Sequence, residues 1–322
     1  KCKLQAAITR LLSATEREWK MQLLLTGTMI DLAVKRIQTF CPPEGYWLAF
    51  SGGKDSCVIK WLANRAGVTY ETHYNVTTCD PPEVIYFIRK HHPNVVWERP
   101  PFSMWAGIVT YGPPAPKVRW CCRYLKEKGG HGRILLTGVR WAESARRRKR
   151  HSLVTPYRSA GISKTLINPI IDWTDADVWA CIRENHIPYC NLYDEGWKRL
   201  GCVLCPMAGD TQAQLQRWPR IAALWRRAFD GFWATVPNHK YPSVRALLPR
   251  WKTSEGLWQA WLEKRAYSPK EESDDPEDCE LFTGAGNARA EAMQDDQRRT
   301  TDQLCATAPL EIEAAGPGNP QV

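Results

Sequence analysis

The sequence predicts an α/β fold: a doubly wound, mostly parallel, five-stranded sheet of Rossmann-like type with helical additions. Three observations predict it. Short apolar runs alternate with helical stretches from Tyr46 onward. A glycine turn, Ser51-Gly52-Gly53-Lys54-Asp55-Ser56, joins the first such run to a helix. The 322-residue length holds one sizeable domain of that kind plus appendages.

Residues 13–40 read as an amphipathic helix, with Trp19, Leu23, Ile30, Val34 and Ile37 near helical spacing, ended by Cys41-Pro42-Pro43. Strand one is 46–50 and its helix runs to about Ala66. Val68 to Val76 is strand two. Pro81-Pro82 opens a helix through His91, with proline at the tolerated first turn. Asn94 to Trp97, Arg133 to Gly138 and Leu166 to Ile171 supply strands three to five. Thr174-Asp175-Ala176-Asp177 caps the next helix. From Leu215 to Lys264 the chain is helical and rich in Trp and Arg, and packing of those Trp rings is favoured over base stacking. Beyond Ala266 the composition predicts disorder. The predicted organisation is therefore an N-terminal helical segment (1–44), a nucleotide-binding domain (45–210), a helical subdomain (211–266) and an acidic tail (267–322).

Charge is uneven. Lys117 to Lys164 carries 14 Lys/Arg against 2 Asp/Glu, whereas Tyr267 to Val322 carries 4 against 13. The middle suits a polyanionic ligand, a nucleotide or a nucleic acid. No run reaches the 18 or so apolar residues of a membrane span, no signal peptide is visible, and the expectation is a soluble cytoplasmic protein. Twelve cysteines in such a chain point to metal or redox chemistry rather than disulfides.

The hexapeptide is built for an anion. Two glycines let the backbone approach a ligand. Amides of the turn and of the first helical turn converge where the helix dipole adds positive charge. Lys54 adds a full charge, and Ser51 and Ser56 add hydroxyls. The plain alternative is a tight turn with a solvated lysine. The segment resembles the PP-loop of the ATP pyrophosphatase and phosphoadenosine-phosphosulfate (PAPS) reductase superfamily. Asp55 would repel phosphate, and the resemblance implies magnesium there.

Cys121-Cys122 and Cys202-Val203-Leu204-Cys205 stand 79 residues apart. Four thiolates hold tetrahedral zinc or a [4Fe–4S] cluster. An adjacent Cys-Cys is awkward for one zinc ion, so spacing favours the cluster, with zinc and ordinary buried cysteines as alternatives. Cys57 and Cys181 read as core residues, Cys79 as a small filler near the bound nucleotide, and Cys41 and Cys190 have no evident partner. The Cys-Cys…Cys-x-x-Cys pattern resembles the cluster signature of adenylyl-sulfate (APS) reductases within the PAPS reductase family. Asn75 to Glu83, Gly138 to Arg146, Asn168 to Trp173, Leu192 to Gly196 and Arg199 to Cys202 are similar to phage and bacterial members.

The resemblance implies that Arg140 and Arg146 contact the phosphosulfate or triphosphate, and that a thioredoxin-like reductant serves a reductase. Family reductases carry their nucleophile in a C-terminal E-C-G-[IL]-H segment; this chain has Glu277-Asp278-Cys279-Glu280-Leu281. Lys54, Asp55 and Cys279 are the candidate catalytic residues. Arg147, Arg148, Lys149 and Arg150 exceed what one nucleotide needs and suit DNA or RNA, unless they are a solvated charge run. The first reading is a PAPS or APS reductase-family enzyme. The alternatives are an ATP-dependent sulfurtransferase resembling DNA phosphorothioation enzymes, and a non-catalytic binding module with a structural metal.

Overall fold

The computed structural model describes residues 27–264 apart from 117, 160–161 and 240–241. The predicted helical residues 13–26, the tail 267–322 and Cys279 lie outside the described residues. Within them the first helix, α1 (Met29–Thr39), falls inside the predicted stretch and opens at Thr28, where Thr28 and Asp31 form a capping box.

The sheet core follows the expected alternation. β1 (Tyr46–Phe50), β2 (Tyr70–Asn75), β3 (Val96–Glu98) and β4 (Ile134–Leu136) are parallel, separated by α2 (Lys54–Ala66), α3 (Pro82–His91), α4 (Met104–Tyr111) and α5 (Trp120–Leu125). Then come α6 (Ala145–Arg150), β5 (Val154–Ser159), β6 (Ile162–Ile167) and α7 (Asp175–Glu184). The strand order is β3-β2-β1-β4-β6-β5. Succession runs outward from β1 one way and from β4 the other, so the crevice between their carboxyl ends is the switch point where open α/β sheets take ligands.

Six strands are found where five were expected. β5 pairs antiparallel with β6, with Pro156 opposite Thr165. Pro156 disguises this strand in the sequence, yet it occupies the edge position where a missing amide donor is tolerated. The strand expected over 166–171 spans Ile162–Ile167 instead. Asn168 ends it: its side-chain amide donates to the Ser152 carbonyl at 2.7 Å, and its side-chain oxygen accepts from the Thr137 hydroxyl. Ile170, Ile171 and Trp173 are buried as a folded plug, turned by Ile171 N–H to Asn168 O and Trp173 N–H to Ile170 O.

The C-terminal part is helical: α8 (Thr211–Arg217), α9 (Pro219–Thr235), α10 (Pro242–Arg245), α11 (Leu247–Trp251) and α12 (Ser254–Leu262). Trp218, Trp225, Trp258 and Trp261 are buried in the same apolar cluster as the sheet. Three of these indole N–H groups have partners: Trp225 donates to Val203 O, Trp261 to Pro114 O and Trp218 to Glu83. Packing, not base stacking, therefore occupies these rings. No described helix is long and apolar enough to cross a membrane.

His92, at the end of α3, is buried between Phe50 and Phe87. Its Nδ1 lies 3.2 Å from the Lys60 ammonium. Burial, then Lys60 and His91, lowers its pKa from 6.5 to about 4. Between those values the unfolded chain binds a proton that the native ring refuses, so stability falls as pH drops through that window and is unaffected by this residue above it. The expected loss is up to about 3 kcal/mol. Urea unfolding at pH 7 and pH 4 checks it: His92→Gln should lose this part of the acid sensitivity.

Candidate functional site

The hexapeptide sits at the switch point. Gly52 has φ +71°, and a Cβ there would lie 2.9 Å from Val84 and 3.0 Å from Ile88. Only glycine lets the turn pack this closely on α3. Ser56 accepts the Ser51 N–H at 3.2 Å and donates to Gly53 O at 2.8 Å, so this hydroxyl knits the loop together. Gly53 is the N-cap of α2 and offers no side-chain cap, which leaves first-turn amides for other partners. The Lys54 N–H has found one: it donates to the Tyr193 hydroxyl at 3.0 Å. Tyr193 comes from the Leu192-Tyr193-Asp194-Glu195-Gly196 segment and rests edge-on against Trp179. Burial, first of all, pushes its phenol pKa up, which keeps it neutral.

Lys54, Asp55 and Arg140 meet, together with Asp175. Lys54 Nζ lies 3.4 Å from Asp55 and 3.1 Å from Asp175 Oδ1. Arg140 donates from Nε to Asp55 at 2.6 Å, from Nη2 to Asp175 Oδ1 at 2.9 Å and from Nη1 to the Trp173 carbonyl at 3.3 Å. Two cations and two carboxylates thus share one cluster. Although burial pushes the Asp175 carboxyl up, its contacts with Lys54 and Arg140 hold it below its ordinary value. Gly138 lets the strand-four loop come this near: a Cβ there would sit 3.1 Å from Asp55.

Arg146 does not join this cluster. It lies exposed on α6, where Ser144 accepts the Arg147 N–H as N-cap. Arg147 pairs with Glu143, whose carboxylate also accepts the Arg140 N–H at 3.1 Å. Arg148, Lys149 and Arg150 are exposed as well.

The cysteines of the two motifs are brought together. Cys121, Cys122, Cys202 and Cys205 line one cavity with Thr77, Met104, Pro114, Leu125, Lys126, Pro206 and Trp225. α5 presents the first pair, and the turn after Gly201 presents the second. The nine cysteines among the described residues are free thiols. Arg119 donates to Cys122 at 3.3 Å. A hydrogen bond from Cys121, then the Arg119 charge, draws the Cys122 thiol down to about 6. A hydrogen bond from Cys79, then the Lys126 charge, does the same for Cys202. The other two thiols go the opposite way: the hydrogen bond to Cys122 raises Cys121, and burial raises Cys205, so two of the four favour the thiolate. No three His, Cys, Asp or Glu side chains among the described residues gather closely enough to hold a metal ion as placed. Four thiols on one cavity are the donor set that either a zinc ion or a [4Fe–4S] cluster takes.

Four residues at these sites carried other readings in the sequence. Asp175 looked like part of a helix start. Tyr193 stood only within a recognised segment. Cys79, expected as a small filler, is wholly buried and meets Cys202, with the Thr77 hydroxyl 3.5 Å from each sulfur. Lys126 was one more charge in a basic stretch, although its place four residues after Cys122 sets both on one helical face.

A family model described as the phosphoadenosine phosphosulfate reductase domain matches residues 45–208. An uncharacterized protein of Methanocaldococcus jannaschii is 29% identical over 240 residues, covering 69% of this chain and 55% of that protein. An adenosine 5'-phosphosulfate reductase of Neisseria meningitidis serogroup B is 36% identical over 107 residues, covering 31% of this chain and 42% of that one. A crystal structure of phosphoadenylyl-sulfate (PAPS) reductase from Candida auris, a phosphate complex, matches with a TM-score of 0.42 at 20% identity, covering 56% of this chain and 91% of that chain. The chain spans about half the length of the first curated relatives it matches.

Proposed function

Because the chain belongs to the phosphoadenosine phosphosulfate reductase family, whose model spans residues 45–208, we propose that it is an enzyme holding an adenine nucleotide by its phosphate or sulfate in the Ser51–Ser56 loop. Beside it, Cys121, Cys122, Cys202 and Cys205 would hold a [4Fe–4S] cluster. The observation that carries this reading is the meeting of those four thiols, from segments 79 residues apart, around one cavity. When bound, such a cluster would supply local charge beside the nucleotide's sulfate or phosphate group.

The chain's own residues have separable roles. The Lys54 ammonium and the first-turn amides of α2 beyond Lys54, whose own N–H is held by Tyr193, bind the anion at the head of α2. Asp55 fixes the Arg140 fork by its 2.6 Å contact, and Arg140 meets phosphate oxygens in pairs once a ligand enters. Arg146 closes on the ligand from the exposed helix. Asp55 also carries magnesium where the nucleotide is ATP. In the reductase reading the Cys279 thiolate attacks the sulfate sulfur. A sulfur–sulfur bond forms, the sulfur–oxygen bond to the nucleotide phosphate breaks, and a thioredoxin-like dithiol then releases sulfite.

A second reading has its own support. The α6 cations Arg148, Lys149 and Arg150 are exposed, and Arg147 is paired with Glu143. That surface suits DNA or RNA. Here an oxygen of the nucleic acid attacks the ATP α-phosphate and pyrophosphate leaves before sulfur is delivered.

One assay decides. Anaerobically purified full chain is given APS, PAPS or ATP. Sulfite release that disappears in Cys279→Ser supports the reductase. Pyrophosphate release from ATP without sulfite supports sulfur transfer, and salt-sensitive DNA binding lost on replacing Arg147 to Arg150 would accompany it. Neither product, from protein that carries iron, leaves the binding module.

A further inference from the structure

The cations of the loop are not open to solvent. The Lys54 side chain is 7% exposed and Arg140 2%. What covers them is partly Asp55, fixed beside Lys54 on the first turn of α2, and partly Asp175, which arrives from a separate element at the first position of α7. The Asp175 side chain is 64% exposed, and a single oxygen, Oδ1, reaches both Lys54 Nζ at 3.1 Å and Arg140 Nη2 at 2.9 Å. One anionic oxygen bridging the two buried cations is the contact a phosphate or sulfate oxygen would make. The charge count agrees. Two cations against two carboxylates leave the cluster neutral, a poor receptor for an anion, whereas without Asp175 it carries a net positive charge.

We infer that Asp175 is a built-in competitor for the loop's ligand: its carboxylate sits in the seat of one phosphate or sulfate oxygen, and the incoming anion binds by displacing it. This rests on the anion-binding reading of the loop. The exchange is feasible because Asp175 is held by its side chain at an exposed rim and can swing into water. Asp55 cannot leave in this way, because Arg140 grips it at 2.6 Å on an element that also carries Lys54. Asp175 thereby sets a threshold: a ligand must offer more than one carboxylate-like contact to win the site. Polyphosphates and phosphosulfates pass it, and single carboxylates do not.

The test uses inorganic pyrophosphate as the probe, titrated calorimetrically into the full anaerobic protein. Asp175→Asn keeps the shape and removes the charge. It should bind pyrophosphate roughly three- to tenfold tighter than the wild type, the range set by loss of one partly exposed carboxylate that competes for both cations. The gain should shrink with added salt. Asp177→Asn, which removes a charge two residues along the same helix start but touches neither cation, should bind like the wild type. Asp175→Ser must reproduce the gain, and thermal melting checks that each variant is folded. Unchanged or weaker binding in Asp175→Asn, with the wild type binding normally, overturns the proposal and leaves the loop reading intact. An equal gain in Asp177→Asn also overturns it, since any lost charge would then serve. A wild type that binds no pyrophosphate removes the loop reading itself, and this proposal with it.

Discussion

With the four thiols holding the proposed cluster, Cys202→Ser is expected to leave the protein without bound iron. Serine lacks the soft sulfur that holds iron clusters. Cys202 is also the most supported of the four thiols: Thr77 lies against it, and Cys79 and Lys126 both favour its thiolate. A cluster left with three thiolates is labile, so iron should fall from about four atoms per chain to below about one, with equal loss of acid-labile sulfide and of the visible absorbance. Nucleotide-dependent product formation should fall with it. Cys41→Ser is the control, because Cys41 is half-buried beside Pro42, far along the chain from either motif. It should keep its iron. One equivalent of zinc in the native protein would overturn the cluster, and loss of iron in both variants would mean that the effect is not local.

Asp172→Asn should be the most destabilising conservative change near the site. Arg36, from α1, has a side chain that is fully buried, and its guanidinium donates to both Asp172 oxygens at 2.8 and 2.9 Å and to the Pro169 carbonyl at 2.7 Å. This bidentate pair ties the first helix to the Asn168–Trp173 plug, and Trp173 in turn carries the carbonyl that receives Arg140. Breaking a buried ion pair from one side costs about 3–5 kcal/mol. Asp172 retains 21% exposure, so the lower end, about 3 kcal/mol, is expected, which is roughly 6–12 °C in Tm at this chain size. The double change Arg36→Met with Asp172→Leu should recover part of it, since an apolar replacement removes the desolvation cost of both ions. Urea unfolding of the single and double variants measures this. A loss below about 1 kcal/mol in Asp172→Asn would show that the pair is screened like a surface bridge.

The two predictions draw on different depths of the sequence. Cys202 stood out unaided, since Cys-x-x-Cys is a local pattern. Arg36 did not: one arginine among helix residues gives no sign that its partner lies 136 positions away. The same division runs through the fold. β1, α2, α3 and α7 were legible because each carries its own stop and start signals, such as the Pro81-Pro82 entry and the Thr174 cap. β5 was hidden because Pro156 speaks against a strand everywhere except at an edge, and edge position is a property of the assembled sheet. The run 166–171 was misread because burial and extension leave one apolar signature. Only the Asn168 hydrogen bonds distinguish a plug from a strand.

By itself the sequence determined the parallel α/β frame, the glycine turn at a strand's end, and the two local cysteine pairs. These follow from local chemistry: backbone freedom at glycine, apolar periodicity and thiol pairing within a few residues. The tertiary structure alone decided which charges meet. It set Asp175 against Lys54 and Arg140, Cys79 against Cys202, and Arg36 against Asp172. Electrostatic contacts depend on distances of a few ångströms between residues far apart in the chain, and no pattern along the chain records those distances.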